Sequence, residues 1–186
     1  MPILTSASPR DEQIEHILAP YLTCTLPEGE GRDAFFMDAA LLLARFAAAS
    51  GEVPVGCVIA RGGTLLAGEC NARESLKNPL WHAETAAIER AAAILGGWRL
   101  AECTLYVTLE PCPMCAGAIW NARVPRVVIG TKDPRAGAMG SILNLNSYPL
   151  NFRPAVTFGV RERECAEVLR VFFAERRLHE RREKSE

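Results

Sequence analysis

No stretch of the 186 residues is apolar for long enough to cross a bilayer. The longest run, AALLLA at 39–44, is far shorter than the roughly 20 residues a spanning helix needs. The first ten residues, MPILTSASPR, have no basic segment followed by an apolar one, so no secretory signal is expected. These two absences predict a cytoplasmic protein with no membrane partner. A strong excess of charge is missing too. The formal net charge is −1, which does not advertise a nucleic-acid binder. Lysine is scarce, and eighteen of the 21 basic residues are arginine. Arginine's planar fork suits phosphates and bases, although a G+C-rich coding sequence would produce the same bias. Internal repeats are absent. The seven cysteines are an odd number, and thiols inside cells stay reduced, so they should be buried apolar residues or metal ligands.

What remains is a chain of single-domain length, 49% hydrophobic, able to bury a core. Its charge is unevenly spread. Residues 1–33 hold six acids and two arginines, a net of −4, which leaves +3 for the rest. Residues 1–32 read as a separate acidic extension, partly ordered at most. In it, DEQIEHILAPYL forms a short helix stopped near Pro20, and TLPEGEGRD is a polar linker. From residue 33 to 186 the pattern is that of one folded domain. A helix capped by Asp33 runs to Gly51. Two apolar runs around Gly62-Gly63 follow as a hairpin. AETAAIERAAAIL is a helix ending at Gly96-Gly97, TLYVTL (104–109) a buried strand, CPMCAGAIWNA a helix and RVVIG (126–130) a strand. AGAMGS (136–141) is a loop, AVTFGV (155–160) an extended segment, and RECAEVLRVFFAERRLHERREK a long charged helix. The alternation predicts an α/β layered domain with at least one parallel strand pair. Sites in such sheets lie beyond the carboxyl ends of strands, at helix N-termini.

The chemistry concentrates in two short segments. In PCPMC, Cys112 and Cys115 are three apart at the start of a helix, so both thiols can face one point. The helix dipole there favours thiolate, the form zinc binds. A lone CxxC also suits thioredoxin-like redox chemistry, and a structural zinc site would want a second pair, which the chain lacks. The segment WHAE offers a different completion. His82 also stands where a helix begins, thirty residues before Cys112, and one αβ unit between them can return the chain to the same sheet edge. One histidine and two cysteines leave the fourth tetrahedral position to water, the mark of catalytic zinc. Glu84, two residues beyond His82, can then move protons without ligating the metal. The combination H-x-E…P-C-x-x-C is the recognised zinc deaminase signature.

The chain resembles the bacterial tRNA-specific adenosine deaminases (TadA-type) of the cytidine deaminase-like zinc deaminase superfamily. The similarity runs from about Asp33 to about Arg177 through GEVPVGCVI, HAE, LYVTLEPCPMCAGAI, RVVIGTKDPRAGAMGS and VTFGVRERECAEVLRVFFAERR. The resemblance implies a three-layer α/β/α sandwich with a mixed five-stranded sheet, and a homodimer. It implies hydrolysis of adenosine to inosine at the wobble position of a tRNA anticodon stem-loop, that of an arginine tRNA. His82, Cys112 and Cys115 would hold one Zn2+ per protomer, and Glu84 would be the general acid/base. Asn71 would hydrogen-bond the flipped adenine, and Asp133 would sit near a neighbouring ribose. Apart from the resemblance, Asn71 reads equally as a turn residue after the hairpin and Asp133 as a cap.

Three departures stand out. Trp81 precedes the ligand histidine where relatives carry a small residue. Asn151 would be a further substrate contact, but Phe152 follows it where the family has Asn-His, which puts one polar substrate contact in question, though a Phe can stack on a base. The acidic extension has no counterpart, so residues 1–32 are expected to be dispensable for chemistry. Two rivals remain. A deaminase of free guanine, cytosine or their nucleosides would keep the same four residues. A non-catalytic zinc-binding partner subunit would have no use for Glu84.

Overall fold

A computed structural model describes residues 8–26 and 30–183. Helix α1 (Pro9–Leu22) opens with a capping box. The Ser8 hydroxyl accepts from the Asp11 N–H, and the Asp11 carboxylate accepts from the Ser8 N–H at 3.0 Å. Pro20 lies inside the helix rather than stopping it, because a proline in the last turn removes its own N–H bond while the residues after it still donate. Helix α2 (Glu30–Ala49) starts three residues before Asp33. Asp33 is therefore not the expected cap. Its carboxylate takes both guanidinium nitrogens of Arg126, at 2.7 and 2.6 Å, and the Tyr106 hydroxyl at 3.1 Å.

Strands β1 (Gly56–Arg61) and β2 (Thr64–Cys70) form the expected hairpin. Gly62 and Gly63 both take positive φ (58° and 83°), as a two-residue turn matched to strand twist requires. A single helical turn, α3 (Arg73–Leu76), precedes α4 (Ala83–Leu95), which ends on Gly96 in the left-handed conformation. Then come β3 (Cys103–Leu109), α5 (Pro113–Asn121), β4 (Arg126–Thr131), a 3-10 turn (Leu145–Ser147), β5 (Ala155–Phe158) and α6 (Glu162–Glu183). The strand order is β2-β1-β3-β4-β5. The hairpin and the β1–β3 pair are antiparallel, while β3–β4 and β4–β5 are parallel, which makes the sheet mixed.

Strand alternation divides the core between the two faces. Ile59, Leu105, Val107, Val127 and Ile129 pack with Ala83, Ala87 and Ala91 of α4 and Ile119 of α5. Val58, Ala60, Tyr106 and Val128 pack with Phe36, Met37, Ala40 and Leu43 of α2 and Cys165 of α6. The result is the three-layer α/β/α sandwich. The second cluster also contains Ile14 and Leu18 of α1, 1% and 5% exposed. Burying two such side chains stabilises by about 1.5–3 kcal/mol each. Residues 9–22 thus join the core of the domain, and the reading of residues 1–32 as a separate piece does not describe them.

Candidate metal centre and active site

Two helix N-termini converge on one point. His82 is the N-cap of α4, with extended backbone (φ −84°, ψ 153°), and its carbonyl accepts the Ala86 N–H at 3.0 Å. Cys112 is the N-cap of α5, with Pro113 as the first helical residue and its own carbonyl accepting from Ala116 at 2.8 Å. Cys115 follows one turn later and is fully buried. Because α4 and α5 pack side by side on one face of the sheet, their caps meet. The His82 Nδ1 lies 3.7 Å from Cys112 Sγ and 3.5 Å from Cys115 Sγ, and all three donor atoms lie within 4.8 Å of one another.

This spacing fits zinc. Bonds of about 2.3 Å to sulfur and 2.0 Å to nitrogen, at a tetrahedral angle, separate the two donors by about 3.5 Å. Three donors of this chemistry leave one tetrahedral position for a reacting ligand. The electrostatics agree with a cation site. A hydrogen bond from the Cys115 thiol, together with His82, outweighs burial and pulls Cys112 down to about 4, while sharing that proton raises Cys115. The hydrogen bond to Cys112 raises His82.

Glu84 sits in the first turn of α4 and is 4% exposed. Burial chiefly, then the charge of Cys112, pushes its carboxyl up to about 7. A carboxyl at that level can both accept and release a proton near neutrality.

Asn71, directly after β2, joins this group through backbone. Its Oδ1 accepts the N–H of Ala83, the first residue of α4, at 3.0 Å, and its Nδ2 donates to the Val53 carbonyl at 3.1 Å. One amide hydrogen and one lone pair remain for a ligand. Asp133 follows β4, and its Oδ1 accepts from the N–H groups of Arg135 (2.8 Å) and Ala136 (3.2 Å), so it does cap a turn. It also lines a cavity of about 480 Å³ with Val53, Lys132, Arg135, Arg170 and Phe173. The expected substrate contact Asn151 is exposed. Its neighbour Phe152 is held at the other end of α5. There the Trp120 indole donates to the Phe152 carbonyl at 3.1 Å, and the Arg123 guanidinium stands over both rings. Trp120 lies eight residues beyond Cys112, about 12 Å along the helix. The structure therefore brings His82, Glu84, Cys112, Cys115 and Asn71 together and anchors the 151–152 segment elsewhere. Trp81 is half-buried, and its indole N–H is buried without an acceptor among the described residues.

Besides Glu69, two buried carboxylates went unnoticed in the sequence. Glu110, between β3 and the CxxC, accepts from the N–H groups of Asp133 (3.1 Å), Met139 (3.0 Å) and Ser141 (3.0 Å) and from the Ser141 hydroxyl. It holds the 133–141 loop against the metal-binding corner. Glu52 does the same for α3, accepting from the N–H of Glu74 (3.2 Å) and Ser75 (2.7 Å). Adjacency of Glu110 to Pro111-Cys112 was the one available signal for the first. Nothing in the sequence pointed to the second.

Comparison with known proteins places this geometry. The profile of the cytidine and deoxycytidylate deaminase zinc-binding region matches residues 31–131. A tRNA-specific adenosine deaminase of Bacillus subtilis is 44% identical over 147 residues, covering 78% of this chain and 91% of the relative. A solved structure from a study of A-to-I editing by tRNA:A34 deaminases at the wobble position is 43% identical. It superposes with a TM-score of 0.71 over 73% of this chain and 99% of its own. A guanine deaminase from Nitrosomonas europaea is 25% identical, with a TM-score of 0.67 over 84% of this chain and 92% of its own. The helix-capping histidine and cysteines, the buried carboxylate and these similarities agree: the chain is a zinc-dependent hydrolytic deaminase and belongs to the family of bacterial tRNA-specific adenosine deaminases.

Proposed function

We propose that this enzyme converts adenosine to inosine at the wobble position of a tRNA anticodon, with an arginine tRNA as its target. The observation that carries this reading is the buried Glu84 beside a three-donor zinc site, in a chain whose relatives with 38–44% identity act on tRNA adenosine. The substrate base enters single-stranded or flipped from its stack. His82, Cys112 and Cys115 hold one Zn2+ per protomer, which when bound supplies Lewis-acid activation of the attacking water. Glu84 takes the proton from that water as it adds to C6 and delivers it to N1. The same carboxyl then assists departure of the exocyclic amine, so adenosine and water become inosine and ammonia. Asn71 orients the base with the amide hydrogen and lone pair that its backbone contacts leave over. Asp133 and the cationic side chains around its cavity would meet the flanking nucleotides. Asn151 we assign to the outer edge of the RNA surface rather than to the base pocket.

The reading includes a homodimer acting in the cytoplasm. Leu80, Ile142, Leu143 and Tyr148, 46–62% exposed, supply uncovered apolar surface for a second copy. Among the described residues no helix is long and apolar enough to cross a membrane. The deciding assay is inosine formation in an RNA anticodon stem-loop, a DNA copy of it, and free adenosine or guanine. Turnover of the RNA loop with inert free bases is expected. Brisk turnover of guanine with an inert loop would transfer the enzyme to the free-base deaminases.

A further inference from the structure

Helix α1 lies wholly outside residues 31–131, which the zinc-binding-region profile matches, yet it reaches the strand that leads into Asn71. Arg10 is the contact. Its Nη2 donates to the Glu69 carboxylate at 2.6 Å and to the Cys70 carbonyl at 3.1 Å, the peptide oxygen immediately before Asn71. Glu69 is 1% exposed, so its charge has to be met inside the protein. Arg90 of α4 meets it from the other side, with Nη2 2.6 Å from Oε1 in an ion pair whose angle misses that of a hydrogen bond. Asp11, also in α1, accepts from the same Arg90 nitrogen.

These contacts tie β2 to α4 at a second point. The first tie is Asn71 Oδ1 to the Ala83 N–H. The second is Glu69 to Arg90, seven residues further along α4. Seven residues are two helical turns, so Ala83 and Arg90 share a face. One tie would let α4 pivot on the strand, whereas two fix both its position and its tilt. His82 and Glu84 stand at the end of α4 that such a pivot would move.

We infer that α1 is an intramolecular brace for the base pocket: Arg10, through Glu69 and the Cys70 carbonyl, positions Asn71 against the first turn of α4. Arg10 is a positioning residue, since it touches neither the donor trio nor the base. The inference rests on the proposed role of Asn71 in holding the substrate base. It replaces the expectation that residues 1–32 are dispensable for chemistry.

The test is a double-mutant cycle in the full-length zinc-loaded enzyme. Arg10→Met and Asn71→Ala are made singly and together and assayed on the RNA stem-loop well below the melting temperature. Arg10→Met is expected to keep one zinc per protomer and to raise KM about five- to tenfold, the size of one lost hydrogen bond, with kcat held within about twofold. In the Asn71→Ala background the same change is expected to have no further effect. Additive effects on KM, or wild-type KM in Arg10→Met, would overturn the inference. Arg10→Lys covers the case in which Arg10→Met does not fold. It keeps a positive charge beside Glu69, but its ammonium ends one bond short of the single Nη2 that reaches both Glu69 and the Cys70 carbonyl, and the KM defect should persist. A normal KM in Arg10→Lys together with an unfolded Arg10→Met would reduce α1 to packing alone and overturn the inference. Wild-type kinetics in Asn71→Ala would sink the base-holding role of Asn71 and the brace with it, whereas additivity with a defective Asn71→Ala sinks the brace alone. If the wild type prefers a free base, the cycle is run on that base.

Discussion

Gly137 passes so close to the Glu110 carboxylate that any side chain there would overlap it. The same carboxylate gathers three backbone N–H groups of the 133–141 loop, so Glu110 and Gly137 are parts of one fitted contact. Glu110→Ala strands those N–H groups in a buried place. Leaving buried donors unpaired costs about 1–3 kcal/mol each, so the variant should melt many degrees lower, and Gly137→Ala should lose about 1–3 kcal/mol through overpacking. Thermal denaturation of the zinc-loaded proteins measures both. A melting temperature for Glu110→Ala equal to wild type would mean the loop is held by something else.

Glu84→Ala should retain one zinc per protomer while deamination falls by at least about 10²–10⁴-fold, the range for loss of a general acid/base. Cys112→Ser and His82→Ala should instead lose the metal along with activity. Metal analysis beside an activity assay separates the two classes. Zinc lost from Glu84→Ala would make that carboxylate a ligand.

Chelation should loosen the packing of α4 on α5, because the donor trio cross-links them at their N-termini. Metal-free protein is expected to melt lower than the loaded form, with zinc restoring the difference in proportion to its binding. Identical melting curves would show that the helices are held wholly by their apolar contacts.

Acid stability should reflect Asp33 and Glu52. Burial pushes both carboxyls up, but it is outweighed, at Asp33 by Arg126 and the Tyr106 hydroxyl and at Glu52 by the backbone N–H groups of Ser75 and Glu74. Both therefore lie below their ordinary values in the folded state. The sign follows: their contribution is complete above the unfolded-state values of about 4 and is lost as the pH falls through the lower folded values. Melting temperature should drop below about pH 4, more shallowly in Asp33→Asn. An unchanged slope in that variant would remove Asp33 from the account.

If arginines of α6 and the Asp133 cavity meet RNA phosphates, affinity for the stem-loop should fall steeply with salt. A ribose loop should be preferred to its deoxyribose copy, and Asp133→Asn should narrow that preference. Salt-independent binding would place the RNA on another face.

The catalytic corner was legible because its ligands are local to helix starts. His82 and Cys112 cap helices that composition and proline placement announce, and the strand between them is a continuous apolar run. What the sequence hid were partners distant along the chain. Arg10 and Glu69 are 59 residues apart, and Asp33 and Arg126 are 93 apart, and neither pair shares a periodicity. Ile14 and Leu18 have the spacing of one helical face, but a helix of low apolar content gives little sign of whether that face is covered. The anchoring of the Phe152 carbonyl by Trp120, 32 residues away in the chain, is likewise visible only in three dimensions.

The hairpin leaves β2 at one margin of the sheet and the four-residue β5 at the other. So short a strand offers little template for another chain, but β2 is seven residues long and mostly apolar. Besides α2 and α4, two elements adjoin it beyond the hairpin, α1 and the Thr25–Thr64 bridge that follows α1. A proteolytic cut before residue 26 would strip both away and present an open pairing edge of the kind through which sheets aggregate. In such a fragment, clumping would show itself ahead of any change in the zinc corner.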